Sequence, residues 1–433
     1  MSRGLSLRGQ RALLRRGEGA RVFACFAAAY VLSYAVRSIN AVIGPDVMAD
    51  LRLSNADLGL LSSAYFLSFA AMQVPLGWWL DRRGARKVET VLLVVAGVGA
   101  LVFATAQSAS TLWLGRALIG AGVSACLMGA YTTYRVWYPA SRQSQLSVWM
   151  LVAGSAGALS TTLPVQAVLP WLGWRGVFYV MAGLLFLAAL ALYRGLAKVE
   201  RRTGRILRAA PSAARTTGGV GVGAAYRALF RHPAFVRVLL FGLLNQASFM
   251  ALHTLWAGPW MRDVLGFGAV ATAQILFVFN LALLGGYLIL SWLAPRMART
   301  VPETSRLVMA GGALALVLQA GIALATPASA WLLWPLLALS ASCLSLILST
   351  LSQAFPEDMA GRANTTYNLV VFGGSFLIQW GLGVGIDAFR DTGLPLPAAF
   401  RAAFGVLLGL QCIGFAWYLL VPRLWRPRAA PGQ

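Results

Sequence analysis

The chain has 433 residues, 59 % of them hydrophobic and 11 % charged, with 36 Lys and Arg against 13 Asp and Glu for a net charge of +23; its mean hydropathy is +0.71. Soluble domains carry about 25 % charged residues, so this composition excludes a soluble globular protein and points to one embedded in a bilayer. The four cysteines, Cys25, Cys126, Cys343 and Cys412, stand singly in different apolar runs, a distribution that fits packing and excludes a zinc cluster or disulfide framework.

The first 20 residues are basic, and the apolar run that follows is too long for the core of a cleaved signal peptide, so it is expected to remain as the first helix. Runs long enough to cross a bilayer, about 20 residues each, are predicted at 21–43, 57–80, 88–107, 111–137, 146–170 and 175–194. Six more follow at 236–260, 270–293, 306–326, 330–354, 363–388 and 399–421. They lack strand alternation and are too long for tilted strands, so they read as helices that satisfy their own backbone groups. The expected fold is an all-α integral membrane protein of twelve transmembrane helices. Its expected parts are a basic tail (1–20), a six-helix bundle (21–194), a central loop (195–235), a second six-helix bundle (236–421) and a short tail (422–433). Pro211 and the Gly-rich stretch at 218–223 suit a linker inside that loop, and residues 226–230 suit a short surface helix.

A charge of +23 invites a nucleic-acid reading, which the placement of the charges answers. With a cytoplasmic N-terminus, most Lys and Arg fall in cytoplasmic segments, the central loop is rich in them, and loops 3–4 and 9–10 carry none. That is the positive-inside pattern, so both termini are expected in the cytoplasm, the protein in a plasma (bacterial inner) membrane, and the partner of its basic residues is the lipid bilayer, with no nucleic acid.

Two equal sets of spans suggest duplication. "SWLAPRMART" after span eight matches "GWWLDRRGAR" after span two, Trp292 with Trp78 and Arg296 with Arg82. Pro139 and Pro356 are each followed eighteen residues later by a glycine, Gly157 and Gly374. Parallel repeats about an axis along the membrane normal place a site between halves near the midplane. The run Gly77, Asp81, Arg82, Gly84, Arg86, Lys87 resembles the motif that the major facilitator superfamily carries between its second and third helices. Arg116, Gly120 and Gly122 resemble its motif in helix four. The resemblance implies two pseudo-symmetric six-helix bundles and gives Gly77, Asp81, Arg82, Gly84, Arg86 and Lys87 a gating role. In that role Asp81 meets the start of helix eleven, near Arg362 to Asn364, in one state and releases it in the other. The second copy has Pro295 and Ala298 at the places of Asp81 and Gly84. The stretch from "YAVRSINAVIGPDV" onward resembles the anion:cation symporter branch, although "YTTYR" at Tyr131 to Arg135 lacks the acid that branch often carries in helix four, which leaves proton or sodium symport open.

Charges inside spans are costly and mark function. Arg37 shares a stripe with Tyr34 and Asn40, and Arg116 heads one that reaches Tyr131. No Asp or Glu lies near the middle of a predicted span, so an anionic ligand suits these arginines. The structural alternatives are that Arg116 bonds neighbouring carbonyls and that Arg37 snorkels outward. In span seven, Asn245, His253, Trp256 and Trp260 are predicted on one face, with His253 a candidate for substrate binding or for coupling to a proton. Asn368 and Gln379 in span eleven are further cavity candidates, although polar residues also join helices. Met250, His253 and Met261 do not share a face, so no metal site is expected.

The leading reading is a secondary or facilitative transporter of a small organic solute, an anion by preference, acting as a monomer without cofactor. The alternatives are an exporter of drugs or hydrophobic metabolites and a non-transporting membrane sensor on the same fold. Span five lacks the Gly-Pro signature of the family's antiporters. An enzyme is not expected: the chain has no phosphate-binding loop, metal cluster or convincing nucleophile.

Overall fold

The structure is a computed structural model that describes residues 14–15, 17–209, 222–297, 300–355 and 357–424. Its described elements are helices. The chain begins with α1 (Glu18–Ser38) and α2 (Asn40–Leu51), which Arg52 ends in the left-handed region (φ 51°). Then α3 (Asn55–Arg83) starts on a capping box in which Ser54 and Asp57 exchange side-chain-to-backbone hydrogen bonds at 3.0 Å. Gly84 (φ 75°) supplies the tight turn into α4 (Ala85–Ala104). Next come α5 (Ala109–Val123), α6 (Cys126–Trp137), α7 (Ala140–Ser160) and α8 (Leu163–Ala209).

After α9 (Val222–Arg231) the seventh crossing is assembled from α10 (Pro233–Phe241), α11 (Ala247–Ala251) and α12 (Ala257–Pro259), separated by π-helical turns at Gly242–Gln246 and Leu252–Trp256 and followed by another at Trp260–Val264. The remainder is α13 (Ala269–Met297), α14 (Val301–Ala323), α15 (Pro327–Ala341), α16 (Leu346–Ala354), α17 (Glu357–Asp391) and α18 (Leu396–Leu424).

Among the described residues, eleven helices are long and apolar enough to cross a membrane, and Gln145–Ser160 is a shorter apolar helix. The fifth predicted span, 146–170, is cut short: α7 ends at Ser160, Thr161 and Thr162 turn the chain, and Pro170 belongs to α8. The apolar run continues through that turn, so hydropathy could not mark it. α8 is broken at Gly173 (φ 61°, ψ 171°) and then runs past residue 194 to Ala209, making the first part of the expected central loop helical. Residues 210–221 lie outside the described residues, and α9 covers the surface helix expected near 226–230. Most of the basic tail and residues 425–433 are also outside them.

Long-range contacts define two ends. Tyr138 Oη donates to the Gly19 carbonyl at 2.5 Å, and Arg202 pairs with Glu18 and Arg86 with Glu200, so these residues gather at what we term the terminal end. Trp174 Nε1 donates to Asp50 at 3.2 Å and Arg175 Nη2 to the Ala106 carbonyl at 3.1 Å, which places those residues at the far end. α1, α3 to α5, α7 and α8 pack together; α13 to α15 pack together, as do α10, α17 and α18. The broadest contact between these sets is α3 on α17, and α7 also meets α13. Large apolar side chains remain exposed at i, i+3, i+7 and i+10 on α4, with Val91, Val94, Val98 and Leu101 accessible. A stripe of that kind belongs against lipid tails.

Candidate functional site

Arg37 lies one residue before the end of α1, and four aromatic rings gather around its guanidinium. Its guanidinium carbon lies 4.5 Å from the ring centre of Tyr34, 5.6 Å from Tyr65, 5.4 Å from Phe69 and 5.5 Å from Phe372. These rings come from α1, α3 and α17, so the cage bridges the α3–α17 contact. Phe69 and Phe372 themselves meet at 4.4 Å. Arg37 makes one hydrogen bond among the described residues, Nε to Tyr65 Oη at 3.2 Å, and no ion pair. Ring faces stabilise a cation by about 0.5–2 kcal/mol each at best, which offsets part of the cost of an unpaired charge and leaves the donors of Nη1 and Nη2 uncommitted.

Arg116 on α5 is held differently. Its Nη1 donates to the Val36 carbonyl at 2.7 Å, its guanidinium carbon lies 5.4 Å from the Tyr65 ring, and its Nε has no partner. Arg37 is 7 % exposed and Arg116 1 %, so only Arg37 keeps contact with open space while Arg116 is sealed in. The glycines that follow explain the placement. A Cβ at Gly120 would collide with the Tyr65 backbone and the Ser68 hydroxyl of α3, and one at Gly122 with Ala96 of α4. Only glycine lets α5 come that close, and the close approach sets Tyr65 between the two guanidinium groups.

The other stripe members fall into place around this pair. Tyr34 meets Tyr30 edge to face at 5.0 Å. Asn40 Nδ2 donates to Ser62 Oγ at 2.7 Å, tying α2 to α3, while its Oδ1 is buried without a partner. Tyr131 on α6 lies within electrostatic reach of Tyr34. Asn368, half-buried, stands one turn before Phe372 on α17 and makes no hydrogen bond among the described residues.

The predicted single face of span seven does not form. Asn245 Nδ2 donates to the Gln411 carbonyl of α18 at 3.2 Å, and Trp256 Nε1 to the Gln379 carbonyl of α17 at 3.0 Å. Trp260 packs on Phe404 at 4.3 Å. His253 turns instead to α13, with Nε2 2.8 Å from Asn280 Oδ1. Asn280 Nδ2 donates to the Leu276 carbonyl, so its oxygen is the acceptor and His253 carries its hydrogen on Nε2. Phe249 stacks on the imidazole at 5.8 Å with planes 3° apart. π-Helical turns hold more residues than α-turns, so a face counted at 3.6 residues per turn is lost across them. Gln379 is fully buried, with Nε2 donating to Thr254 Oγ1 at 3.2 Å, and serves to join helices.

Of the motif between α3 and α4, Gly77 faces open space, Arg82 lies 4.3 Å over the Trp78 ring, Gly84 forms the turn, Arg86 pairs with Glu200 of α8, and Lys87 is exposed. The side chain of Asp81 lies outside the described residues.

Sequence reasoning missed Tyr65, Phe69 and Phe372, aromatic residues with no contrast against an apolar span. It also missed Asp387. That carboxylate accepts from Asn55 Nδ2 at 2.8 Å and from the Ala56 N–H at 2.7 Å, so the end of α17 caps the start of α3 at the far end. The signal was present as an acid closing span eleven opposite the start of span two.

The sequence profile of the Major Facilitator Superfamily matches residues 26–379. The chain belongs to this superfamily. Eleven of its described helices are long and apolar enough to cross a membrane, in keeping with that membership. It is similar to a probable sulfoacetate transporter (SauU) of Cupriavidus necator, 29 % identical over 36 % of each chain, and to a probable nitrate/nitrite antiporter (NarK1) of Thermus thermophilus, 27 % identical over 63 % of this chain and 62 % of that protein. The match to these first curated relatives thus spans from about a third to just under two thirds of their length. A chloramphenicol resistance protein of Streptomyces lividans is 26 % identical over 69 % of this chain and 74 % of its own. Among solved structures, a bacterial homologue of the human lysosomal transporter Spinster superposes with a TM-score of 0.76 over 96 % of this chain and 100 % of its own, at 17 % identity, a likeness of fold.

Proposed function

We propose that this superfamily member moves small organic anions by alternating access, with Arg37 as the charge that receives the anion. The observation that carries this reading is a guanidinium with no carboxylate partner, held by four rings at the contact of α1, α3 and α17. An anion entering the cage would take the Nη donors that the protein leaves open, and a guanidinium fork matches a carboxylate or sulfonate. Relatives described as sulfoacetate, hexuronate and galactarate/D-glucarate transporters support the same chemistry, as does the resemblance to the anion:cation symporter branch.

In this reading the helices form twelve crossings in two six-helix bundles (21–194 and 236–421) joined by the segment 195–235. Both termini lie in the cytoplasm of a bacterial inner membrane, in line with the basic residues of the terminal end. Tyr34, Asn40, Tyr131 and Asn368 border the anion, and Arg116 positions Tyr65. The Asp387 cap on α3 closes the far end, and Asp81 with Gly77, Arg82, Gly84, Arg86 and Lys87 is the gate of the terminal end. His253, bonded to Asn280, is a group of the second bundle that a substrate or a proton could engage.

A second reading, export of uncharged aromatic or hydrophobic compounds, is favoured by the aromatic walls of the same cage and by the chloramphenicol and puromycin resistance relatives. Uptake into proteoliposomes separates the two. The anion reading predicts uptake of one class among sulfonates, sugar acids and nitrate, lost in Arg37→Ala. Movement of chloramphenicol alone, unaffected by Arg37→Ala, would establish the exporter reading instead.

A further inference from the structure

Glu89 stands on α4 one turn beyond Ala85, fully buried, and neither of its carboxyl oxygens has a hydrogen-bond partner. No ion pair among the described residues includes it. The carboxyl points at α6, where Gly129 leaves it room: a Cβ at Gly129 would run into Glu89 Oε2 and come within 3.6 Å of Ala85 Cβ. The acid that sequence reasoning placed at the edge of a span is thus enclosed between helices.

α1 brings Cys25 and Arg21, and α6 brings Cys126 and Tyr134. α8 brings Glu200, paired with Arg86, and Tyr193, which lies under the Arg86 guanidinium at 4.8 Å. α5 brings Arg116, whose hydrogen bond goes to Val36. α3 brings Arg82 and Arg83, both exposed. An ionised carboxylate enclosed without a cation or a donor is far costlier than the neutral acid, so this packing accommodates the group with its proton on.

A route to water lies one turn away. A cleft of 220 Å³ at the terminal end, with mainly apolar walls that include Trp137 and Leu196, also carries Ala85, Arg86, Thr133 and Glu200 in its lining. Ala85 lies four residues before Glu89 on α4, and Thr133 four residues after Gly129 on α6, so the cleft reaches to within one helical turn of the carboxyl along both helices.

We propose that Glu89 is a reversible proton-binding site, filled from the cleft above it while α4 and α6 are packed as in this structure and emptied into the same water when they part. The carboxylate takes one proton from water in the cleft and returns it there, so charge and atoms balance without another reactant. Linkage then requires that raising the pH disfavours this packing, because the proton is bound only in the closed form. Use of that proton in transport rests on the function proposed above; its binding does not.

The test is infrared difference spectroscopy of the protein in lipid bilayers during a pH titration, with no substrate present. The expected result is a protonated-carboxyl C=O band that fades as pH rises and is lost in Glu89→Gln. A difference spectrum that the substitution leaves unchanged, or a Glu89 band that pH does not move, overturns the proposal. If the variant fails to insert, labelling of the wild type with dicyclohexylcarbodiimide, which modifies protonated acids in apolar surroundings, decides. An adduct on the Glu89 peptide that diminishes at high pH supports the site, and its absence at every pH overturns it. Since neither readout involves substrate, failure here leaves the anion reading standing, and failure of anion uptake leaves this one standing.

Discussion

Arg37 and Arg116 are both intramembrane arginines, yet the structure gives them different work. Arg116 bonds the carbonyl of Val36, the residue before Arg37, and is sealed; Arg37 has uncommitted donors. Arg116→Ala should therefore lower stability by about 1.5–3 kcal/mol, the scale of a buried hydrogen bond to a charged group, read as a fall in the melting temperature of the protein in detergent. Arg37→Ala should leave that temperature nearly unchanged. Both arginines were legible in the sequence because a charge stands out in an apolar run. Tyr65, Phe69 and Phe372 were not, because an aromatic side chain facing a cage reads the same as one facing lipid until the fold turns it inward.

Apolar periodicity located the helices well and their interruptions poorly. Crossing seven contains three π-helical turns, and each moves the following residues off the face that 3.6-residue counting assigns, which is why Asn245, His253 and Trp256 bond three different helices. The Thr161–Thr162 turn was hidden by apolar residues on both sides. The motif glycines of α5, by contrast, mark a real contact. Gly120→Val should push α5 off the Tyr65 backbone, at about 1–3 kcal/mol or more for overpacking. Gly183→Val on α8, where a Cβ meets nothing within 4 Å, is the control that should melt like wild type. Equal melting of the two valine variants would refute the close-approach account.

At the scale of the whole molecule the described contacts join α3 and α17 at the far end through the Asp387 carboxylate, and through the middle by Phe69 on Phe372. At the terminal end the ion pairs Arg86 with Glu200 and Arg202 with Glu18 tie helices of one set to each other. Removing the far-end cap should let that end open. Asp387→Ala should lengthen spin-label distances measured across the start of α3 and the end of α17 and raise the fraction of molecules open there. An unchanged distance distribution would show that the cap does not hold the end closed. The cap was not legible in the sequence, because it joins residues more than 300 positions apart and no local pattern announces it.

In the proposed mechanism an unpaired Arg37 receives the anion. Calorimetric titration of the purified protein with sulfoacetate, glucarate and a hexuronate tests it most directly, comparing wild type with Arg37→Ala. The account predicts binding of at least one of them, weakened about 10- to 100-fold in the variant as one charge-assisted contact is lost. Equal affinity in the two proteins, or binding only of uncharged aromatic compounds, would contradict it.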